Sequence, residues 1–258
     1  MPINFHDANN KMTYTTRDSD QEWNQLIQQN VDLQNKSAVD VGCGGGIYTK
    51  TLVKLGVSHV VGIDFSDEML KGALEKCKDL TNVTFSKGEA YCTNLPSSTY
   101  DVVLMRALIH HLDDLNRCYY EANRILKPNG ILIVQDRTPE NCLLPGSEYH
   151  LRGYFFEKFS KLIKNEVNRR YDSNEVKEAL VKNDFKLEKE IILWEKRREY
   201  NHFSALSEDL LQRTGRSILH DLNDNELKDL VQFIQTKIGD KSPIIEKDCW
   251  TIWIAKKK

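Results

Sequence analysis

Nine residues, Val39-Asp40-Val41-Gly42-Cys43-Gly44-Gly45-Gly46-Ile47, have the composition and spacing of a ligand-binding turn. Glycines between a strand and a helix let the backbone bend sharply and approach a ligand closely, because no Cβ intervenes. The helix that follows offers free N–H groups and a positive dipole end, favourable for an anion. Such a turn alone fits a phosphate, a dinucleotide or a carboxylate. Its glycines fall at 42, 44 and 46, with isoleucine at 47. That is not the dinucleotide pattern G-x-G-x-x-G, and no Gly-Lys-Ser/Thr follows as in a P-loop. Asp64, 24 positions after Asp40, closes the next apolar run, where a carboxylate can accept hydrogen bonds from both hydroxyls of a ribose. A helix-capping role is the plain alternative for it. Gly88-Glu89-Ala90 follows a third run, and an acidic side chain there can meet the amino edge of adenine.

These residues need strands and helices to hold them. Ser37–Val41, His59–Asp64, Val83–Phe85, Tyr100–Met105 and Ile131–Gln135 read as short strands. Between them lie amphipathic stretches: Ile47 to Leu55 with Gly56 as a stop, and a helix capped by Ser66 with Met69, Leu70, Ala73, Leu74 and Cys77 inward. A further face is made of Leu115, Cys118, Tyr119, Ala122, Ile125 and Leu126, and Pro128-Asn129-Gly130 reads as a turn. Residues 18–31 form an expected first helix, with Ser19 and Glu22 as a capping box and Trp23, Leu26, Ile27 and Val31 on one face. Strands alternating with helices imply a parallel sheet covered on both sides. After Asp136 the rhythm breaks. Residues 137–170 are aromatic and basic, 173–183 helical with Val176, Leu180 and Val181 inward, and 203–239 helical. Phe185–Trp194 and Cys249–Ala255 are the last two strands. The expected organisation is a first helix plus cofactor-binding half in 1–137. The rest of the same domain spans 138–258, with helical inserts at about 138–170 and 202–245 as a cap.

The chain has 258 residues, 40% of them hydrophobic and 29% charged, enough apolar material for a core and too much for a disordered chain. Lysine and arginine number 36 against 38 acidic residues, so no global basic excess advertises nucleic acid or an anionic membrane. The basic run Arg152, Lys158, Lys161, Lys164, Arg169, Arg170 reads as a solvated helix face, with an RNA site as the alternative. The first residues show no secretory pattern and no window is apolar enough to span a membrane. Six scattered cysteines without C-x-x-C spacing read as free thiols in a reducing cytoplasm, and no metal ligand set is visible.

Five stretches in register resemble class I S-adenosylmethionine-dependent methyltransferases, specifically the type 11 group that includes quinone-biosynthesis-like enzymes. They are Val39–Gly46, Val61-Gly62-Ile63-Asp64-Phe65-Ser66, Gly88-Glu89-Ala90, Tyr100–Val103 running into Leu108-Ile109-His110-His111-Leu112, and Leu126-Lys127-Pro128-Asn129-Gly130. The resemblance covers about residues 36–136. It implies a Rossmann-like α/β fold, a seven-stranded mostly parallel sheet in the order 3-2-1-4-5-7-6, and S-adenosyl-L-methionine as cofactor, with S-adenosyl-L-homocysteine as product. It further implies that Gly42 and Gly44 pack against the methionyl part and that Asp40 orients the loop. Asp64 then holds the ribose with Phe65 beside the adenine, while Glu89 and the Ala90 backbone read the adenine edge. The Arg106 backbone meets the cofactor's amino group, although arginine replaces the usual small residue. Tyr14 is expected near the cofactor's carboxylate, and His111 matches the family's recurrent histidine as the catalytic candidate.

The expected chemistry is in-line displacement at a sulfonium methyl, which mainly requires alignment. A general base is needed only where the acceptor must lose a proton, and His110, His111, Tyr149 and His150 have suitable chemistry. A small-molecule methyl acceptor is the expected partner of a monomer or homodimer. An Asn/Asp-Pro-Pro-Tyr signature for amino-group methylation is absent. The competing readings are an RNA-directed methyltransferase, a non-catalytic S-adenosylmethionine-binding protein and, weakest, an NAD-dependent oxidoreductase.

Overall fold

The computed structural model describes residues 19–239 and 241–258. Seven strands form one sheet: β1 (Ser37–Val41), β2 (His59–Asp64), β3 (Val83–Lys87), β4 (Tyr100–Arg106), β5 (Leu126–Asp136), β6 (Phe185–Tyr200) and β7 (Ile244–Lys257), in the order β3-β2-β1-β4-β5-β7-β6. The pairs β1–β2, β1–β4, β2–β3 and β4–β5 are parallel, and β7 runs antiparallel to β5. The expected strand order is the observed one. Near-continuous apolar runs such as Val102-Val103-Leu104-Met105, all buried, suit central strands covered on both faces. The strand order reverses beside β1, so the carboxyl ends of β1, β2 and β4 lie at a topological switch point, where open α/β sheets receive ligands.

Ten helices accompany the strands in the described residues: α1 (Gln21–Asn30), α2 (Ile47–Lys54), α3 (Asp67–Lys76), α4 (Leu115–Ile125), α5 (Pro139–Cys142), α6 (Gly153–Lys158), α7 (Lys161–Asn168), α8 (Ser173–Lys182), α9 (Phe203–Leu211) and α10 (Asp224–Ile238). No helix among the described residues is long and apolar enough to cross a membrane. The described chain divides into two compact units, one of residues 19–136, 171–192 and 251–258, the other of 137–170, 193–239 and 241–250. The first holds a core around β1, β4, β5 and α4, with Tyr119, Val103, Leu132 and Trp253 fully buried. The second has its own core of α6, α7, α9 and α10, built on Phe155, Leu162, Leu206, Leu210 and Leu230.

Several local expectations change. The N-cap of α1 is Asp20, whose side chain accepts from the Glu22 backbone N–H, while Ser19 donates instead to Asn24. Leu74 and Val181 are exposed rather than inward, because the apolar stripes of their helices are narrower than the sequence periodicity implies. Strand β5 begins at Leu126 and carries Pro128-Asn129-Gly130 as an irregularity within the strand, with Asn129 at φ 64°. Strand β6 continues six residues past Trp194. Its inward face there is carried by Glu195, Arg197 and Tyr200, which hydrophobic patterning cannot register. All six cysteines are free.

Candidate active site

The glycine turn is pinned to the end of β2. Gly42 N–H and Cys43 N–H both donate to the Ile63 carbonyl, at 2.7 and 2.9 Å. Gly42 and Gly44 have φ of 73° and 51°, the left-handed region that side chains disfavour. A Cβ on Gly42 would sit 2.8 Å from the Leu108 side chain. Among the described residues, a Cβ on Gly44 would meet nothing within 4 Å. Gly46 is the N-cap residue of α2, so the open turn leads directly into a helix N-terminus.

Asp64 lies at the end of β2, 6% exposed. One of its oxygens accepts from Gly44 N–H at 2.9 Å and the other from Ser66 N–H at 2.9 Å. The capping alternative is therefore part of the truth: the carboxylate braces both the glycine turn and the start of α3, where Ser66 is the N-cap. Asp40 is 2% exposed, and its carboxylate accepts from the Thr49 hydroxyl at 2.6 Å. Burial pushes its pKa up to about 6. The Thr49 bond opposes this, Asp64 adds to it, and Arg106 counters it. The site thus holds a buried carboxyl group that a cation would relieve. Burial likewise pushes the Cys43 thiol well above its ordinary range, which suits a packing residue and not a nucleophile.

Phe65 is 45% exposed beside this turn. Glu89 is exposed and exchanges backbone bonds with Cys92, while Ala90 is buried and Gly88 N–H donates to the Asp64 carbonyl. These bonds join the segments after β2 and β3 into one edge. Tyr14 lies outside the described residues.

The side chain of Arg106, at the end of β4, has a defined place. Its guanidinium lies 4.1 Å from the ring centre of Tyr48, in the first turn of α2. Trp23 of α1 meets the same ring edge-on at 4.7 Å and donates its indole N–H to Gln135 Oε1 at 2.6 Å. Gln135 pairs with Arg106 across β4 and β5. The motif reading missed Tyr48, Trp23 and Gln135. The signals for them were a tyrosine placed right after a glycine turn and a glutamine ending an apolar strand.

His110 and His111 sit in a single 3-10 turn, Ile109–His111, after Ala107 at φ 51°. Their rings are 4.0 Å apart, yet their settings differ. His110 Nδ1 lies 2.9 Å from Asp136, and His110 N–H donates to the same carboxylate at 3.3 Å. Asp136 is 1% exposed at the end of β5. A carboxylate on Nδ1 fixes the ring and its tautomer, leaving Nε2 as the basic atom. His111, the motif match, is exposed.

The remaining candidates fall in the second unit. Tyr154, Phe155 and Phe156 are buried in its core, while Tyr149 is exposed. His150 is buried and its ring packs edge-on to Trp194 at 5.4 Å. The basic run is not a solvated face throughout. Arg152 and Arg170 are buried and, with Arg169, grip the fully buried Glu166. Three of the six charges expected on the surface are thereby engaged with a carboxylate, which weakens the RNA reading. No group of three or more His, Cys, Asp or Glu residues among the described residues could hold a metal ion.

Comparison with known proteins bears on this geometry. Residues 39–134 match the profile of the type 11 family described as "Methyltransferase domain". The chain is 35% identical over 136 residues to a ubiquinone biosynthesis O-methyltransferase of Methylococcus capsulatus, covering 50% of this chain and 56% of that protein. It is 31% identical over 134 residues to a demethylmenaquinone methyltransferase of Tropheryma whipplei, covering 51% and 54%. The chain thus spans about half the length of these curated relatives. Among solved structures it is similar to the YcgJ protein of Bacillus subtilis, with a TM-score of 0.61, 17% identity, and coverage of 92% of this chain and 98% of that one. A Haemonchus contortus phosphoethanolamine N-methyltransferase with S-adenosyl-L-methionine gives a TM-score of 0.61 at 18% identity, covering 99% and 60%. At these identities the structural likeness speaks to the fold alone.

Proposed function

We propose, from the premise that through residues 39–134 the chain belongs to the class I S-adenosylmethionine-dependent methyltransferases of the type 11 group, that it transfers a methyl group from that cofactor to a small organic acceptor. The observation that carries this reading is the Asp64 carboxylate braced against Gly44, whose missing Cβ leaves a cradle open. The cofactor fits the residues present. The Asp64 carboxylate at the end of β2 has the chemistry to receive a ribose diol, the buried Asp40 carboxyl suits a nearby ammonium, and exposed Phe65 and Glu89 flank the turn for an adenine. When bound, S-adenosylmethionine supplies an electrophilic methyl on a sulfonium whose thioether leaving group is neutral.

The chain's own part is alignment and proton handling. The turn Gly42–Gly46 and Asp64 fix the donor, while Asp40 and the Arg106–Tyr48 stack flank its amino-acid end. Of the two adjacent histidines, His110 is the better proton acceptor, because Asp136 holds its Nδ1 and stabilises the imidazolium that forms. His111 is the second candidate, exposed one residue away. The names of the relatives support an acceptor of the quinone-precursor type, a ring compound with an ionisable oxygen.

Calorimetric titration with S-adenosylmethionine, S-adenosylhomocysteine and NAD tests the premise of the site. Binding of the first two and none of NAD is expected. Asp64→Ala should lose most of that affinity while remaining folded, since it deletes two charge-assisted bonds worth roughly 1.5–3 kcal/mol each. Unchanged affinity in Asp64→Ala would discard the ribose assignment.

A further inference from the structure

Recognition of adenine at this site would fall to an exposed side chain. Glu89 is exposed, so its aim follows from its backbone rather than from packing. That backbone is a tight hairpin: Glu89 N–H donates to the Cys92 carbonyl at 3.1 Å, and Cys92 N–H donates to the Glu89 carbonyl at 3.0 Å. Its front arm is tied to the end of β2, where Gly88 N–H donates to the Asp64 carbonyl at 3.1 Å. Its rear arm leads at once into Thr93, which is 1% exposed. A Cβ on Gly88 would stand 3.1 Å from the Thr93 carbonyl oxygen, so the two arms are closely packed.

Thr93 is bound to α4. Its N–H donates to Glu121 Oε1 at 2.8 Å, and its hydroxyl donates to the same oxygen at 2.5 Å. Arg124, one turn further along α4, grips that carboxylate twice, with Nε on Oε2 at 2.7 Å and Nη2 on Oε1 at 2.8 Å. The guanidinium also reaches back to the loop, donating to the Leu95 carbonyl at 2.7 Å and to the Ser97 hydroxyl at 2.9 Å. Ser98 N–H and Thr99 N–H complete the seam on the Arg124 and Ile125 carbonyls, at 2.8 and 2.9 Å. Burial on its own would raise the pKa of Glu121, yet the Arg124 and Thr93 bonds hold it below the ordinary carboxylate value, so the group is ionised.

An ion pair three residues apart on a helix is ordinary and contributes little at a surface. This one differs in what it holds. Thr93, Leu95 and Ser97 are alternate residues of the stretch directly behind the hairpin. Asn94 between them has φ of 61°, and Ser98 has φ of 51°. Left-handed backbone outside glycine costs free energy and persists where surrounding bonds impose it. Bonds to an ionised carboxylate are about twice as strong as neutral ones, so Glu121 is a firm anchor. Thr93 directly follows Cys92, the closing residue of the hairpin, so no slack residue separates anchor and hairpin. A shift at Thr93 therefore passes into Glu89 and Ala90, and recognition groups must be held to within about 0.5 Å.

We propose that Glu121 and Arg124, acting through Thr93, are positioning residues that set the preference of the site for adenine over a 6-oxopurine. The inference rests on the cofactor reading above and adds the residues that make its adenine contact selective. Adenine offers a 6-amino donor to the Glu89 carboxylate and a ring-nitrogen acceptor to the Ala90 backbone. In hypoxanthine the first becomes an oxo acceptor and the second an N–H donor, so a fixed edge meets both with the wrong partner. An edge free to drift loses its hold on adenine, and most of the discrimination goes with it.

The test is calorimetric titration of the full chain with S-adenosylhomocysteine and with S-inosylhomocysteine, which carries an oxo group in place of the 6-amino group. The wild type should favour the first by about tenfold or more, the weight of one bond to a charged group. Thr93→Val and Glu121→Gln should bind S-adenosylhomocysteine about tenfold more weakly and S-inosylhomocysteine nearly as the wild type does, so that the preference collapses. Thr93→Ser, which keeps the hydroxyl, should retain most of it. A purely structural role would leave the ratio of the two affinities where it was. The inference is overturned if either variant, shown by its thermal melt to be folded, keeps the wild-type ratio or weakens both ligands equally. Glu89→Ala separates this from failure of the cofactor reading. If the wild type prefers S-adenosylhomocysteine and Glu89→Ala abolishes that preference, the reading stands and the two variants alone judge the clamp. A wild type that binds neither ligand or shows no preference, or a Glu89→Ala ratio equal to the wild type's, removes the adenine assignment and the inference with it. Should Glu121→Gln fail to fold, Thr93→Val, which deletes a single hydroxyl, decides.

Discussion

Replacing Asp40 with asparagine gives a stability change whose sign depends on pH. The native carboxyl has a pKa of about 6, raised mainly by burial, against an ordinary 3.8. A raised folded-state value means that the protonated group is preferred in the fold. Its contribution is fully present below the unfolded value and lost as pH rises through the folded one. At pH 7.5 the ionised carboxylate therefore costs the cofactor-free protein about 2.2 units at 1.36 kcal/mol each, or about 3 kcal/mol. At pH 5 the same linkage leaves a cost of about 1.6 kcal/mol. Asp40→Asn removes the ionisation and keeps an oxygen for the Thr49 hydroxyl to donate to. Urea unfolding of both proteins without cofactor should find the variant gaining on the wild type from pH 5 to 7.5, by about 1.4 kcal/mol. The difference between the two pH values is the quantity to read, since the asparagine NH2 adds a constant penalty of its own. Equal gaps at both values, or a gap moving the other way, would refute the claim that burial of an ionisable Asp40 opposes folding. With S-adenosylmethionine present the order should reverse. The ammonium favours the carboxylate, so wild-type affinity should fall below about pH 6 while the variant's stays flat and weak.

His110→Ala should lower kcat by roughly 10²–10⁴-fold on an acceptor that must lose a proton, and His111→Ala by far less; the reverse ranking in steady-state assays would return the base role to the motif histidine. Trp23→Phe leaves Gln135 Oε1 buried without its indole donor, and a thermal or urea melt should register a loss of about 1–3 kcal/mol. Glu166→Ala strips the carboxylate that Arg152, Arg169 and Arg170 share and should cost about 3–5 kcal/mol in unfolding measurements. Glu166→Gln should recover little of it, because the charge and not the shape holds the guanidiniums.

The half of the fold that positions the site could be read from sequence because its determinants are local. Asp40, Gly42, Gly44 and Asp64 lie at strand ends flagged by apolar runs and glycine punctuation, and the turn they form closes through backbone bonds to Ile63. The Asp136 partner of His110 was invisible for the opposite reason. It is 26 residues away and meets the histidine only because β4 and β5 are neighbours. The same holds for Trp23 and Gln135, separated by 112 positions. The second unit was harder still. Glu166 and Arg170 are charged, so periodicity analysis assigns them to solvent, whereas pairing inside the fold buries them.

The antiparallel register of β7 has a consequence for synthesis. Residues Thr251 to Lys256 pair with Ile131 to Asp136, so the outer edge of β5 waits for its partner while the whole stretch 137–250 is made. Throughout that interval a nascent chain presents Ile131-Leu132-Ile133-Val134 as an unpaired apolar edge, the kind of template that recruits strands from other chains. The parallel strands β1 to β5 can assemble behind it in order of translation, but the sheet is completed only by residues made much later. Expression at high rate, or truncation before residue 251, should therefore favour aggregation through β5 over simple loss of the second unit.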